Sequence, residues 1–175
     1  GARPVMGRVG HAFAKVRMRE TGAVCGGELA GHYYFRDFFC CDSGELAALM
    51  VLGVLAEQRR RGVTFSAHIA PIRRYANSGE CNYRVRDPDA AIAAALRAAE
   101  AFGTVVGRSE IDGVRLEWTD GWLSLRPSHT EPYLRLIVEA EDGERLARRL
   151  DVLETALAPF AEEGSVAVRG ADGHA

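Results

Sequence analysis

The chain has no long apolar run, no cysteine pair at zinc spacing and almost no net charge. Each absence excludes something. The longest apolar stretch, Leu46 to Ala56, has the length of a core helix and falls short of the roughly 20 residues that span a bilayer. The N-terminus lacks the basic, apolar and small-residue order of a signal peptide. With Lys+Arg 22 against Asp+Glu 24, a net charge of −2 offers no general attraction to nucleic acid or to an anionic membrane. Neither is therefore an expected partner, and any anion site must be local. Cys25, Cys40, Cys41 and Cys81 form no CxxC motif, and adjacent Cys40 and Cys41 read as small core residues rather than a bridge. With no disulfide framework, a reducing, cytoplasmic setting is the expectation. What is present is 175 residues with 47% hydrophobic content, enough for one or two small domains with real cores.

The stretch richest in chemistry is Arg126-Pro127-Ser128-His129-Thr130-Glu131-Pro132. It lies between two predicted strands, Trp122 to Leu125 and Tyr133 to Ala140. Arg126 offers a planar fork of N–H donors to a phosphate. Ser128 and Thr130 add hydroxyls, and a tight backbone between them can turn N–H groups inward as a nest. Glu131 is an acceptor and suits a sugar hydroxyl or a cation. Just beyond the loop, Arg135 falls on the strand face opposite Leu134, Leu136 and Val138, within reach of the same anion. The same residues also read as a polar turn with one surface arginine, and the loop alone leaves both readings open.

A second candidate runs from Gly26 to Asp37. Glycines bracket Glu28 and His32, four residues apart, and allow close approach of a ligand. A carboxylate accepting from two vicinal hydroxyls is one way to hold a sugar. Equally open is a glycine-rich hairpin leading into an aromatic core strand, Tyr33 to Phe39. One Glu and one His at this spacing do not make a metal site.

Around these, Ala12 to Glu20 starts a helix. Asp42 with Glu45 reads as a capping box opening another, with Leu46, Leu49, Met50, Val54 and Leu55 as its stripe and Gly62 as its stop. Arg59, Arg60 and Arg61 read as a solvated helix end. Val63 to Arg74 reads as loop with short extended pieces, His68 being structural or exposed. Composition shifts between about Cys81 and Asp87, where a domain boundary is placed. An alanine-rich helix follows from Pro88 to near Gly103. Asp112-Gly113 and Asp120-Gly121 are turns between alternating runs, with Val114, Leu116 and Trp118 on one face. A last helix covers roughly Gly143 to Phe160, with Leu146, Leu150, Leu153 and Leu157 at helical spacing, and Glu162 to Ala175 reads as a loose tail. The expected fold is a partial α/β domain over residues 1–84, a small α+β domain over 85–162 with an antiparallel sheet and helices on one face, and a tail over 163–175.

Four stretches, in order, resemble the C-terminal part of the α-D-phosphohexomutase family, of the phosphomannomutase/phosphoglucomutase type. Gly10-His11-Ala12-Phe13-Ala14-Lys15 is similar to a third-domain segment that places a histidine in the active site. Gly27-Glu28-Leu29-Ala30-Gly31-His32 resembles the sugar-recognition loop GExSGH. Tyr75-Ala76-Asn77-Ser78-Gly79-Glu80 resembles the end of the third domain. Asp112-Gly113-Val114-Arg115, followed by Arg126 to Pro132, resembles the phosphate-binding fourth domain, whose loop is usually RxSNTEP or RxSGTEP. The resemblance covers about Val5 to Phe160.

The resemblance implies a fourth domain of the TATA-binding-protein-like fold. It implies interconversion of hexose 1-phosphate and hexose 6-phosphate through a bisphosphorylated sugar, the hexose 1,6-bisphosphate also acting as activator. On that basis Glu28, His32 and His11 bind the sugar, with His11 as a pocket acid or base. Arg126, Ser128, His129, Thr130 and Arg135 bind the phosphate. Two positions depart from the pattern: Ala30 stands where serine is usual, and His129 where asparagine or glycine is usual. The phosphoryl-carrying serine in its Ser-His-Asn-Pro context is absent, as is the Asp-Gly-Asp-x-Asp-Arg loop that holds Mg2+. The expected partners are therefore a phosphorylated hexose and the N-terminal domains of the same enzyme, with no metal ligand in this chain and no turnover by it alone. A phosphoglucosamine mutase fragment and a noncatalytic phosphosugar-binding module are the alternatives.

Overall fold

A computed structural model describes residues 2–128, 133–162 and 168–169. The chain divides into two compact units, Gly1–Arg73 and Arg74–Ala175.

The first unit begins with α1, His11–Thr21, which stops where Gly22 takes a left-handed φ of 65° that a side chain would disfavour. Three short strands follow: β1 (Cys25–Gly27), β2 (Tyr33–Phe35) and β3 (Cys41–Asp42). They form an antiparallel sheet in that order. Tyr34 sits opposite Gly26 on one side and Asp42 on the other. Its ring is fully buried and packs with Met18 and Cys40, against Ala14 and Ala23. The expected strand Tyr33 to Phe39 stops at Phe35, because its pairing with β1 ends at Cys25. Arg36–Phe38 turn as a 3-10 helix instead.

The helix α2, Gly44–Arg60, is capped by Ser43, whose Oγ accepts from the Leu46 N–H at 3.1 Å. This corrects the expectation for Asp42, which belongs to β3 and turns its carboxylate elsewhere. The arginines at the helix end are solvated, and Arg60 and Arg61 pair with Glu57. On the expected apolar stripe Leu49, Met50 and Val54 are exposed, as is neighbouring Leu52. The segment expected to be loop contains α3, Phe65–Ile69, because the Thr64 hydroxyl caps it by accepting from Ala67 N–H at 3.2 Å.

The second unit carries β4 (Ala76–Asn77), β5 (Cys81–Arg84), α4 (Pro88–Ala99), β6 (Gly107–Ser109), β7 (Val114–Trp118), β8 (Gly121–Pro127), β9 (Tyr133–Ala140), α5 (Gly143–Leu157) and β10 (Val168–Arg169). The sheet runs β10-β5-β9-β8-β7-β6, with β4 also on β9. Alternation puts Leu116, Trp118, Leu123, Leu125, Leu134, Leu136 and Val138 on one face. That face packs under Ala91, Ala95 and Ala99 of α4 and Leu150, Leu153 and Leu157 of α5. Each buried leucine contributes about 2 kcal/mol, and the alanines let α4 approach closely. Asp87 caps α4 by accepting from Ala90 N–H at 3.0 Å, and Asp142 caps α5 by accepting from Arg145 N–H at 2.7 Å.

Two expectations change here. The division falls between Arg73 and Arg74 rather than between Cys81 and Asp87, because β5 is hydrogen-bonded inside the second sheet through Cys81 to Leu136 and Tyr83 to Leu134. The tail is not loose throughout. Val168 and Arg169 pair with Asn82 and Cys81, covering an edge of β5 that would otherwise leave its backbone groups open. Glu162 joins the same edge through Arg84, at 2.8 Å. Among the described residues no helix is long and apolar enough to cross a membrane.

Candidate functional site

In the first unit, the N-terminus of α1 and the β1–β2 hairpin bring His11, Glu28 and His32 together. The hairpin is tied by Glu28 N–H to His32 O at 2.9 Å and Gly31 N–H to Glu28 O at 3.0 Å, with Gly31 at φ 84°. Glu28 is then fixed from two sides. Its Oε2 accepts from the Gly10 N–H at 2.9 Å, and its Oε1 accepts from the Tyr34 hydroxyl. Since that hydroxyl has donated its proton, its oxygen accepts from His11 Nδ1–H at 3.1 Å, which leaves the Nε2 lone pair of His11 open. The His11 and His32 rings meet edge to face at 4.4 Å between centroids.

Asp42 orients the other histidine. His32 Nδ1 lies 2.7 Å from Asp42 Oδ2, while Asp42 Oδ1 accepts from Tyr33 N–H at 2.9 Å. The Tyr33 N–H, then the His32 hydrogen bond, hold the Asp42 carboxyl below the ordinary carboxylate range. Burial, and secondly the hydrogen bond to Glu28, push the Tyr34 phenol well above the ordinary phenol range. The result is a carboxylate held in place with lone pairs to spare, beside two imidazoles, which suits ligand hydroxyls. Ala30, at the departure from the usual loop, is exposed.

Tyr34 and Asp42 were not legible as site residues. Tyr34 read as aromatic core, and Asp42 as a helix cap. A signal for each existed: a buried tyrosine needs a partner for its hydroxyl, and Ser43 was a competing cap one residue on.

In the second unit, Arg126 on β8 and Arg135 on β9 are direct cross-strand partners. Arg126 Nε is 3.9 Å from Asp112 Oδ2, and Arg135 Nε is 3.7 Å from Glu80 Oε1. Among the described residues, the buried Nε of Arg135 has no hydrogen-bond partner. Beyond the last strand pair the hairpin is closed by Ser128 N–H donating to Tyr133 O at 2.8 Å. His129, Thr130, Glu131 and Pro132 lie outside the described residues. The Asp112-Gly113 turn lies against the base of this hairpin: a Cβ built on Gly113 meets Leu125 O at 2.2 Å and Arg126 Cα at 2.8 Å.

Comparison with known proteins agrees with both units. Residues 1–75 match the model of phosphoglucomutase/phosphomannomutase alpha/beta/alpha domain III. Residues 80–156 match that of the phosphoglucomutase/phosphomannomutase C-terminal domain. The chain belongs to the phosphoglucomutase/phosphomannomutase family, of which it carries the third and C-terminal domains. It is 40% identical over 141 residues to a phosphomannomutase of Salmonella typhimurium, an alignment covering 80% of this chain and 30% of that protein. To a phosphomannomutase/phosphoglucomutase of Pseudomonas aeruginosa it is 36% identical, covering 85% of this chain and 32% of the relative. A crystal structure of a phosphoglucomutase/phosphomannomutase family protein from Burkholderia thailandensis superposes with a TM-score of 0.69 at 32% identity, over 94% of this chain and 34% of that one. The chain thus spans about a third of the length of the relatives it matches.

Proposed function

We propose that this chain is the sugar- and phosphate-binding part of a hexose phosphomutase that interconverts hexose 1-phosphate and hexose 6-phosphate through a bisphosphorylated sugar. The observation that carries the reading is the fixed carboxylate of Glu28, held by Gly10 N–H and the Tyr34 hydroxyl beside His11 and His32. Glu28 accepts from sugar hydroxyls, and His32 and His11 line the same pocket. Arg126, Arg135 and the Ser128 to Thr130 loop hold the phosphate that does not react. Phosphoryl transfer depends mainly on position and charge, so such an anchor aligns the other end of the sugar.

The phosphoryl-carrying serine and the Mg2+ loop belong, in this reading, to the part of the relatives' length that this chain does not span. Among the described residues, the one set of candidate metal ligands does not fit Mg2+. His11, His32 and Asp42 form a nitrogen-rich set, whereas Mg2+ takes oxygen ligands in octahedral geometry. No step through Mg2+ is derived from them. This chain's own task is to bind and orient.

The test is a calorimetric or NMR titration of the chain with glucose 1-phosphate, beside Glu28→Gln and Arg126→Ala. Saturable binding weakened at least tenfold in both variants supports the reading. Binding that survives both, with the fold intact, overturns it.

A further inference from the structure

We propose that His11, His32 and Asp42 form a binding site for one borderline divalent transition-metal ion, of the zinc class. One ligating atom from each residue lies within 4.8 Å of the others, and the three come from separate elements: α1, the β1–β2 hairpin and β3. A tetrahedral zinc ion would draw its ligands to roughly 3.3 Å of one another, so closing the set needs a shift on the order of 1.5 Å. That shift would fall to His11, whose side chain is exposed.

The groups behind the three ligands are already arranged for a metal. Tyr34 engages His11 at Nδ1 by a 3.1 Å hydrogen bond and leaves its Nε2 lone pair available. Tyr33 N–H occupies Asp42 Oδ1, which leaves Oδ2 as the metal-facing oxygen. His32 Nδ1 and Asp42 Oδ2 share one proton across 2.7 Å. A metal ion on Nδ1 takes that proton's place, and the neutral imidazole then carries its proton on Nε2. Hydrogen bonds of this kind orient metal-binding imidazoles and carboxylates.

Charge also favours the site. The positive end of α1 opposes a cation with about half a unit of charge. Two carboxylates, Asp42 in the set and Glu28 beside it, outweigh that end. Imidazole with one carboxylate selects zinc, nickel or copper over magnesium and calcium. The site needs only the ring nitrogens and the Asp42 carboxylate. It does not depend on what sugar, if any, enters the pocket.

The experiment is calorimetric titration of the whole chain with Zn2+ in a non-coordinating buffer. The variants are His11→Ala, His32→Ala and Asp42→Asn, with Cys25→Ser/Cys41→Ser as the control for the accessible thiols. One zinc per chain is expected, weakened at least tenfold in each ligand variant and unchanged in the cysteine control. Histidine ring NMR signals of the unaltered chain give a second readout that needs no folded variant. Those of His11 and His32 should shift with one equivalent of zinc, and that of His68 should not. No zinc uptake by the folded chain overturns the proposal. So does uptake that survives His11→Ala and His32→Ala but is lost in the cysteine control, or uptake that leaves the His11 and His32 signals in place.

Discussion

Arg126 and Arg135 face each other across β8 and β9, and each guanidinium has its carboxylate beyond hydrogen-bond distance, Asp112 at 3.9 Å and Glu80 at 3.7 Å. Like charges directly opposite in a sheet cost roughly 0.2–1 kcal/mol. An anion between them removes that cost. Inorganic phosphate should therefore raise the melting temperature of the chain more than chloride does at equal ionic strength. In Arg126→Gln and Arg135→Gln this increment should vanish, while the urea midpoint without phosphate stays level or rises. Equal stabilisation of both variants by phosphate would sink the idea.

Gly113 has a φ of 70°, and a side chain there would run into the backbone of Leu125 and Arg126. Gly113→Ala should destabilise the second unit by more than about 1 kcal/mol, the scale of left-handed strain alone. The clash adds to that. Urea unfolding gives the stability. Amide NMR shifts at Leu125 and Arg126 should move with it, since the turn and the base of the loop share one contact.

Asp120 receives Arg149 Nη2–H at 2.7 Å and Arg145 Nη1–H at 2.7 Å. Arg149 is buried, with its guanidinium carbon 5.3 Å from the Trp118 and Phe102 ring centroids. The Arg149 hydrogen bond holds the Asp120 carboxyl below its ordinary value. A depressed folded value means that this contribution is complete above the unfolded value of about 3.9. It is lost as pH falls through the folded one. Acid unfolding of the second unit should show this step. Asp120→Asn should abolish it and cost about 3 kcal/mol at neutral pH by stranding the arginine.

The neighbours Ser43 and Asp42 separate a helix cap from a site residue. Ser43→Ala should cost about 1 kcal/mol by freeing the Leu46 N–H. Asp42→Ala should leave α2 helicity unchanged and release the His32 ring, seen as a change in its tautomer signals by nitrogen NMR. A loss of helix with Asp42→Ala would reverse the assignment.

Periodicity carried most of the second unit. The strand Tyr133–Ala140 and the α5 stripe of Leu146, Leu150, Leu153 and Leu157 are where alternation and helical spacing put them. The regularity of a one-sided core makes such elements legible. What periodicity could not supply was long-range pairing. The seat of β5 depends on hydrogen bonds to β9, and that of β10 on the open edge of β5. In the candidate site, Glu28, His32 and His11 stood out because glycines and a known pattern framed them. Tyr34 and Asp42 take their roles from cross-strand neighbours, and sequence distance hides those. Part of the loop proposed to hold phosphate, His129 to Pro132, lies outside the described residues, so the sequence alone speaks for it.

Tyr34 has one more consequence. Its phenol is buried and hydrogen-bonded to the Glu28 carboxylate, the group proposed above to accept from sugar hydroxyls. Its ultraviolet absorption therefore responds to whatever engages Glu28, and its proton stays on to higher pH than that of a free phenol. The chain carries its own optical gauge of the pocket, readable by difference spectroscopy without a dye, a label or turnover.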